Sequence, residues 1–100
     1  MKFLEEIAEL LNTKADSAQP LSLACQKFER RVYLSAGAVT LEDYRKFYHL
    51  ILEHMKSLDP TLLSSLDGRT CNILHRNLDT AIEVFPESGS IIASLSTLVP

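Results

Sequence analysis

The chain has 100 residues, 46% of them hydrophobic and 23% charged, a composition that is typical of globular proteins and argues against general disorder. One domain over residues 1–100 is expected, and a chain of this length buries enough surface to fold without a disulfide bond or a metal ion. The net charge is −3, and residues 59–100 hold five acidic but only two basic side chains, which disfavours a broad nucleic-acid-binding surface.

The cysteines and the N-terminus indicate an intracellular protein. Cys25 and Cys71 each lie among apolar neighbours, as free thiols do in reducing compartments, so both are expected to be reduced and buried. The N-terminal stretch MKFLEEIAELL carries Glu5, Glu6 and Glu9 within the part that would have to be apolar in a signal peptide. Because no run approaches the roughly 18 apolar residues of a membrane span, we expect a cytoplasmic protein without membrane association.

Apolar residues recur with helical spacing along almost the whole chain, and alternation with a period of two is scarce. This pattern predicts an all-α fold, a compact single-domain bundle of five to six helices around a central helix, residues 41–58. The polar segment 12–20 is expected to connect a first helix to a second one, with Pro20 in the first turn of the second. The apolar face of the first helix consists of Phe3, Leu4, Ile7, Leu10 and Leu11.

The second helix is predicted over Leu21–Ser35, with Gly37 closing its C-terminal end in a left-handed conformation. Its core stripe comprises Leu21, Ala24, Cys25, Phe28 and Val32. At 100° per residue, Leu23 and Leu34 lie roughly 120 to 140° from the centre of this stripe, and Tyr33 lies on the opposite flank. The helix therefore presents apolar surface well outside its core stripe.

Three local signals mark the start of the central helix. Thr40 is a favourable N-cap, Asp43 is placed to complete a capping box, and Val39 and Tyr44 have the spacing of a hydrophobic staple. The apolar residues of this helix cover about 200° of its circumference, an arc that suits a helix contacted from several sides. They are Leu41, Tyr44, Phe47, Tyr48, Leu50, Ile51, Leu52, Met55 and Leu58.

A short apolar segment, TLLSSL, follows the central helix. Asp59 and Pro60 provide the cap and the proline that open such a segment, and Asp67 and Gly68 are expected to end it.

The next helix is predicted over Thr70–Phe85, because Pro86 disfavours helical geometry in the residue before it. Residues 88–100 form an apolar tail whose serines and branched side chains leave three alternatives open. The tail is a last helix capped by Ser88, a strand, or a loosely docked segment.

Cys71, His75 and Asp79 recur at every fourth position of the predicted helix 70–85, the spacing of three metal ligands, or of a nucleophile and its base, in one row. A row with this spacing drifts by about 40° around the helix at each step. We therefore expect Cys71 in the core, His75 at its boundary and Asp79 in solvent, with a contact between His75 and Asp79.

The sequence predicts neither a metal site nor an enzyme. A zinc site would have to recruit Cys25, His49 or His54, and the two histidines point to different faces of the central helix. Catalysis by cysteine needs a partly exposed thiolate, which a thiol among leucines is not. The chain contains no GxSxG, HExxH, CxxC or phosphate-binding glycine motif, so no cofactor and no catalytic residues are expected.

The additional apolar surface of the second helix predicts a binding site for a partner. Its residues are Leu23, Tyr33 and Leu34, with Lys27, Arg30 and Arg31 as a basic rim. A helix packed between two layers of the bundle would show the same pattern, so burial inside the fold is an equal alternative.

Without a catalytic motif, the predicted function is a non-enzymatic protein–protein interaction domain, an adaptor, chaperone or inhibitor of a larger intracellular complex. Its partner is another protein or a second copy of the chain. The alternative is a nucleic-acid-binding regulator that uses the basic strip at residues 27–46. The spacing of Glu42 and Lys46 instead indicates ion pairs on a solvated face.

Overall fold

The computed structural model describes residues 2–12, 17–34 and 39–100, and within these ranges the chain is helical with no strand. The predicted terminator Gly37 lies outside the described residues. The helices pack into a compact globule with a Cα radius of gyration of 12.6 Å, close to the ~13 Å expected for 100 residues. The elements are α1 (Lys2–Asn12), α2 (Gln19–Leu34), α3 (Leu41–Ser57), a 3₁₀ segment (Pro60–Ser65), α4 (Gly68–Val84), a second 3₁₀ segment (Pro86–Ser88) and α5 (Gly89–Ser96).

The prediction of an all-α bundle around the helix that starts at residue 41 is confirmed. The predicted capping box is present: the Thr40 hydroxyl accepts a hydrogen bond from the Asp43 amide, and the Asp43 carboxylate accepts one from the Thr40 amide. α3 packs against each of the other four α-helices, which explains its wide apolar arc. None of the helices in the described ranges combines the length and the apolar character that a membrane crossing requires.

Aromatic rings form the centre of the core where α1, α2 and α3 meet. The ring of Phe28 stacks on that of Phe47 with 3.8 Å between centroids, and it lies edge-on to Tyr44 at 5.3 Å. Phe3 also stacks on Phe28, with 6.2 Å between centroids. Phe28 and Phe47 are fully buried, so these contacts fix the position of α2 relative to its neighbours.

The side of α2 that faces α1 is closed by side chains of both helices. The guanidinium of Arg31 lies 4.9 Å from the centre of the Phe3 ring, and the Lys27 ammonium pairs with Glu6 at 3.7 Å. At the far end of α1, the buried ring of His54 donates a hydrogen bond from Nδ1 to the Leu11 carbonyl, which satisfies one of the carbonyls at the end of that helix.

Helix α4 begins at Gly68, two residues before the predicted start. The preceding 3₁₀ segment ends before Asp67 and Gly68, as predicted, but both residues also open α4. Gly68 is the first residue of this helix and Asp67 is its N-cap. The Asp67 carboxylate accepts a hydrogen bond of 2.7 Å from the Thr70 amide and caps the helix. Aspartate is equally suited to precede a helix and to follow the end of a segment, so its presence alone does not distinguish the two roles.

The C-terminal tail is a helix, and its alternatives as a strand or a loose segment are wrong. Ile92, Leu95 and Val99 are buried against the rest of the bundle, so the tail contributes to the core. Helix α5 starts at Gly89, as the predicted cap requires, but the Ser88 side chain makes no capping hydrogen bond.

Candidate functional site

The row Cys71, His75 and Asp79 passes from the core to solvent, as its helical drift predicts: Cys71 is buried, His75 half-buried and Asp79 exposed. The thiol of Cys71 points to the Leu66 carbonyl at 3.8 Å. Within the described ranges, no group of three His, Cys, Asp or Glu side chains is arranged to hold a metal ion.

His75 binds the C-terminal tail and does not make the expected contact with Asp79. Its Nε2 lies 3.2 Å from the backbone oxygen of Pro100 and its Nδ1 lies 3.3 Å from the Ser96 hydroxyl. A carbonyl oxygen only accepts, so Nε2 carries the proton and Nδ1 accepts from Ser96 in the neutral ring. The ring therefore connects α4 to the end of α5.

The remaining candidates for metal or cysteine chemistry lie in the core or face away from it. Cys25 is fully buried, and burial, with a smaller contribution from the Glu29 carboxylate, raises its pKa to about 12. A thiol of this kind is protonated at neutral pH and is a poor nucleophile. His54 is buried on the hydrogen bond to Leu11, whereas His49 is exposed.

The apolar residues of the predicted partner-binding site are exposed. The exposed fractions are 43% for Leu23, 68% for Tyr33 and 77% for Leu34, so these side chains do not pack inside the bundle. Leu23 and Leu34 are 11 residues apart, about 16 Å along the helix. By helix geometry, the basic residues at positions 27, 30 and 31 project from the same face between them.

Two of the three basic residues of the predicted rim contact α1. Lys27 pairs with Glu6, and Arg31 covers the ring of Phe3. Arg30 is exposed and lies one helical turn before Tyr33 and Leu34. The apolar residues of the predicted site therefore form two groups along α2. Leu23 stands alone near the start of the helix, and Tyr33 and Leu34 lie at its end.

Beside Tyr33, an open groove of about 460 Å³ lies between α2, α3 and α4. Ligand-binding sites in proteins generally have volumes of roughly 300 to 1,000 Å³. We call it the α2–α4 groove. It is lined by Phe28, Glu29, Val32 and Tyr33 of α2, Leu41, Tyr44 and Tyr48 of α3, and Ile73, Arg76, Asn77, Thr80 and Val84 of α4.

The α2–α4 groove has one apolar and one polar side. α2 and α3 contribute mainly aromatic and branched side chains, and Leu41 at the rim is 63% exposed. On α4, three consecutive lining residues are polar: Arg76, Asn77 and Thr80. A molecule bound here would contact carbon on one side and hydrogen-bonding groups on the other.

An ion pair connects the two sides of the groove. Nη2 of Arg76 donates to Oε1 of Glu29 at 2.7 Å, and the side chains of Arg76 and Glu29 are 59% and 25% exposed. The hydrogen bond to Glu29, followed by one to Tyr33, raises the pKa of Arg76. Oε2 of Glu29 is buried without a hydrogen-bond partner among the described residues, so Arg76 stabilises a carboxylate that is only partly satisfied.

Tyr48 forms part of the floor of the groove. Burial raises the pKa of its hydroxyl to about 12, although a hydrogen bond with Thr80 lowers it, and Tyr44 makes a further small contribution that raises it. The hydroxyl is therefore neutral at physiological pH. The floor therefore offers aromatic carbon and the neutral hydroxyl of Tyr48.

Helical periodicity in the sequence marks Tyr33 as a candidate, but it gives no sign of the groove beside this residue. Leu41 was assigned to the apolar arc of the central helix, and its exposed position at the first turn of α3 gave no separate signal. Glu29 and Arg76 are 47 positions apart, so no local pattern connects them. Their contact arises only from the packing of α2 against α4.

Comparisons of the chain with protein-family models, with curated proteins and with solved structures give no match. The interpretation of the α2–α4 groove therefore depends on its own geometry and chemistry.

Proposed function

We propose that this protein is a non-enzymatic interaction domain that binds a segment of another protein in the α2–α4 groove, as an adaptor, chaperone or inhibitor does. The observation that carries the proposal is the exposure of large apolar side chains at one end of the groove. Tyr33 and Leu41, which both line the groove, are 68% and 63% exposed. Clusters of exposed apolar side chains beside a groove are typical of surfaces that another protein covers.

A protein segment fits these residues better than a small molecule does. A small ligand inside the groove would leave the side chains of Tyr33 and Leu41 at its rim in contact with water. A polypeptide covers the floor and the rim together, and aromatic residues with neighbouring aliphatic ones are frequent anchors in such contacts. An intracellular location is part of the proposal, since the free thiols Cys25 and Cys71 suit a reducing compartment.

The nucleic-acid alternative receives less support, because most of the basic strip has partners within the chain. Lys27 pairs with Glu6 and Lys46 with Glu42 at 3.6 Å. Arg31 and Arg45 cover the rings of Phe3 and Phe85. Binding to phosphates would have to compete with these contacts, and it would weaken steeply as salt is added.

The test is affinity capture from the native cell with three forms of the protein: wild type, Leu41→Asp and Leu23→Asp. Both leucines are exposed, and aspartate at the first position of α3 is compatible with the helix, so both variants should fold. Circular dichroism and thermal unfolding check this directly.

We expect a protein that wild type and Leu23→Asp capture and that Leu41→Asp loses. Loss with Leu23→Asp and retention with Leu41→Asp would instead place the contact on the outer face of α2. Capture that neither substitution changes would contradict a role for both leucines.

A further inference from the structure

The chemistry of the α2–α4 groove defines the kind of segment that fits it, an inference that rests on the proposed function. The groove holds about 460 Å³. A buried cavity of ~150 Å³ accommodates one benzene molecule, so the groove has room for about three large apolar side chains. Its α4 side extends from Ile73 to Val84, which is about 16 Å along the helix axis. Three turns of a partner helix have the same length.

A helix also matches the division of the groove into two sides. The apolar side, on α2 and α3, suits the i, i+4 and i+7 side chains of an amphipathic helix. The polar side, on α4, would face the flank of that helix, where polar side chains stand. Strand addition would need an exposed strand edge, and the described ranges contain no strand.

Arg76 determines the charge that this flank should carry. A guanidinium has five N–H donors, and here Glu29 and Tyr33 occupy only part of them. The rest face solvent, since 59% of the side chain is exposed. A partner that covers the groove removes this water, and each N–H left without an acceptor weakens binding.

A carboxylate is the acceptor that best meets this requirement. It forms charge-assisted hydrogen bonds with the free side of the guanidinium fork. Two of the acidic residues near the groove are already paired, whereas Asp79 is exposed on α4 beside Arg76. Glu29 is already paired with Arg76, and on the α3 rim Glu42 is paired with Lys46. Arg30, exposed one turn before Tyr33, adds positive charge at the same end.

We propose that the α2–α4 groove binds a three-turn amphipathic helix of a partner protein, with two or three large apolar residues on α2 and α3 and an acidic residue that bonds Arg76. The partner thus has an apolar stripe with a carboxylate on one flank. The same helix with an amide at that position binds less tightly.

A displayed library of 16-residue helices tests this inference without knowledge of the natural partner. The library fixes leucine or phenylalanine at positions i, i+4 and i+7 and randomises the flanks. Wild type is used for selection and Leu41→Asp for counter-selection, so that only peptides bound in the groove are retained. Each retained peptide is then synthesised with its flanking acid and with the matching amide.

We expect the retained peptides to be enriched in Asp or Glu on one flank. Replacing that acid by the amide should weaken binding to wild type about 10-fold, as the loss of a charge-assisted hydrogen bond does. In the Arg76→Gln variant, the same acid-to-amide replacement in the peptide should weaken binding less than about 2-fold, because the arginine that bonds the acid is absent. Since the acid-to-amide change is in the peptide, it leaves the protein fold untouched.

Arg76→Gln leaves the Glu29 carboxylate without its partner, so the double variant Glu29→Gln, Arg76→Gln repeats the measurement without the ion pair.

Retained peptides with neutral or basic flanks, or with proline-rich sequences, would overturn the inference and leave the proposed function in place. A selection in which no peptide distinguishes wild type from Leu41→Asp would contradict both. Self-association of wild type that Leu41→Asp abolishes would assign the groove to a second copy of the chain.

Discussion

Helix α2 packs against α1 on one side and against α4 on the other. These two interfaces, which we call the α1–α2 seam and the α2–α4 seam, differ in how completely side chains fill them. On the α1 side, the ring of Phe3 packs on Phe28, and two cations of α2 cover the outside of the contact. On the α4 side, an ion pair between Glu29 and Arg76 bridges the two helices above an aromatic floor, and a groove of about 460 Å³ remains.

The difference follows from the side chains that each neighbour contributes. α1 supplies Phe3, whose ring stacks on Phe28 of α2. Towards the groove, α4 supplies Asn77 and Thr80, short polar side chains that fill less of the space than phenylalanine does. Interiors of proteins are normally packed without such gaps, so an open seam with exposed apolar residues at its rim supports the proposal that another molecule binds there.

The largest expected effect comes from Phe28, which belongs to both seams. Phe28→Ala removes the stack on Phe47 and the contacts to Phe3 and Tyr44. We expect a loss of about 3–5 kcal/mol in the free energy of unfolding, measured by urea denaturation. A loss below about 1 kcal/mol would show that this ring does not hold the three helices together.

The two seams should respond differently when one aromatic ring is removed from each. Phe3→Ala should lower the free energy of unfolding by roughly 2 kcal/mol, because the ring is half-buried and stacked on Phe28. Tyr33→Ala should change it by less than about 0.5 kcal/mol, since Tyr33 is 68% exposed. Equal losses for both variants would mean that the α2–α4 seam is as tightly packed as the α1–α2 seam.

Asn77→Leu should make the open seam resemble the closed one. Asn77 is half-buried and lines the groove, so leucine there fills part of its volume with carbon. We expect the free energy of unfolding to stay constant or to rise by up to about 1 kcal/mol, and binding of the captured partner to be lost. The matched control is Asn72→Leu, an exposed position of α4 outside the groove. A variant that is stable and still binds would contradict the assignment of the site.

At neutral pH the smallest effect on the free energy of unfolding is expected from protonation of His54, whose ring bonds the end of α1. Burial lowers the pKa of its imidazole from the ordinary value of 6.5, partly offset by the hydrogen bond to the Leu11 carbonyl. Nε2 is buried without a hydrogen-bond partner among the described residues, so a proton there would be unsatisfied. The folded state therefore favours the neutral ring.

The pH dependence follows from this direction. Above pH 6.5 the ring is neutral in the folded and in the unfolded chain, and its contribution is fully present. Below pH 6.5 the unfolded chain takes up the proton first, so the free energy of unfolding falls until the pH passes the lowered pKa of the folded state.

His54→Gln, whose amide can still donate to Leu11, should reduce the slope of the free energy of unfolding against pH between pH 7 and pH 5. His49→Gln, at an exposed position, should leave it unchanged. Equal slopes in all three proteins would refute the role of His54.

The sequence predicts the elements of this fold better than the space between them. The start of α3 was predicted from Thr40 and Asp43 because a capping box depends on residues three positions apart. The burial of Cys71 was predicted for a similar reason, since helical periodicity assigns each residue to a face, whereas the same periodicity left open whether Leu34 is exposed or buried against another layer.

Features that depend on tertiary distance could not be predicted in this way. His75 forms hydrogen bonds with Ser96, which lies 21 residues later in the chain, and with Pro100, which lies 25 residues later. Only the packing of α5 on α4 brings these residues together. The α2–α4 groove has the same origin. Its volume depends on the separation of two helices whose contact, through Glu29 and Arg76, has no signature in the local sequence.

The most direct test of the α2–α4 groove as a binding site is photo-crosslinking in the native cell from a benzoylphenylalanine in place of Tyr33. This residue is aromatic, exposed and part of the groove, and Leu98, which is 40% exposed outside it, is the matched control position. We expect one defined protein to be crosslinked from position 33, none from position 98, and the crosslink from position 33 to disappear when Leu41→Asp is added. Crosslinks of equal yield from both positions, or a product that persists with Leu41→Asp, would contradict the assignment of this groove as the binding site.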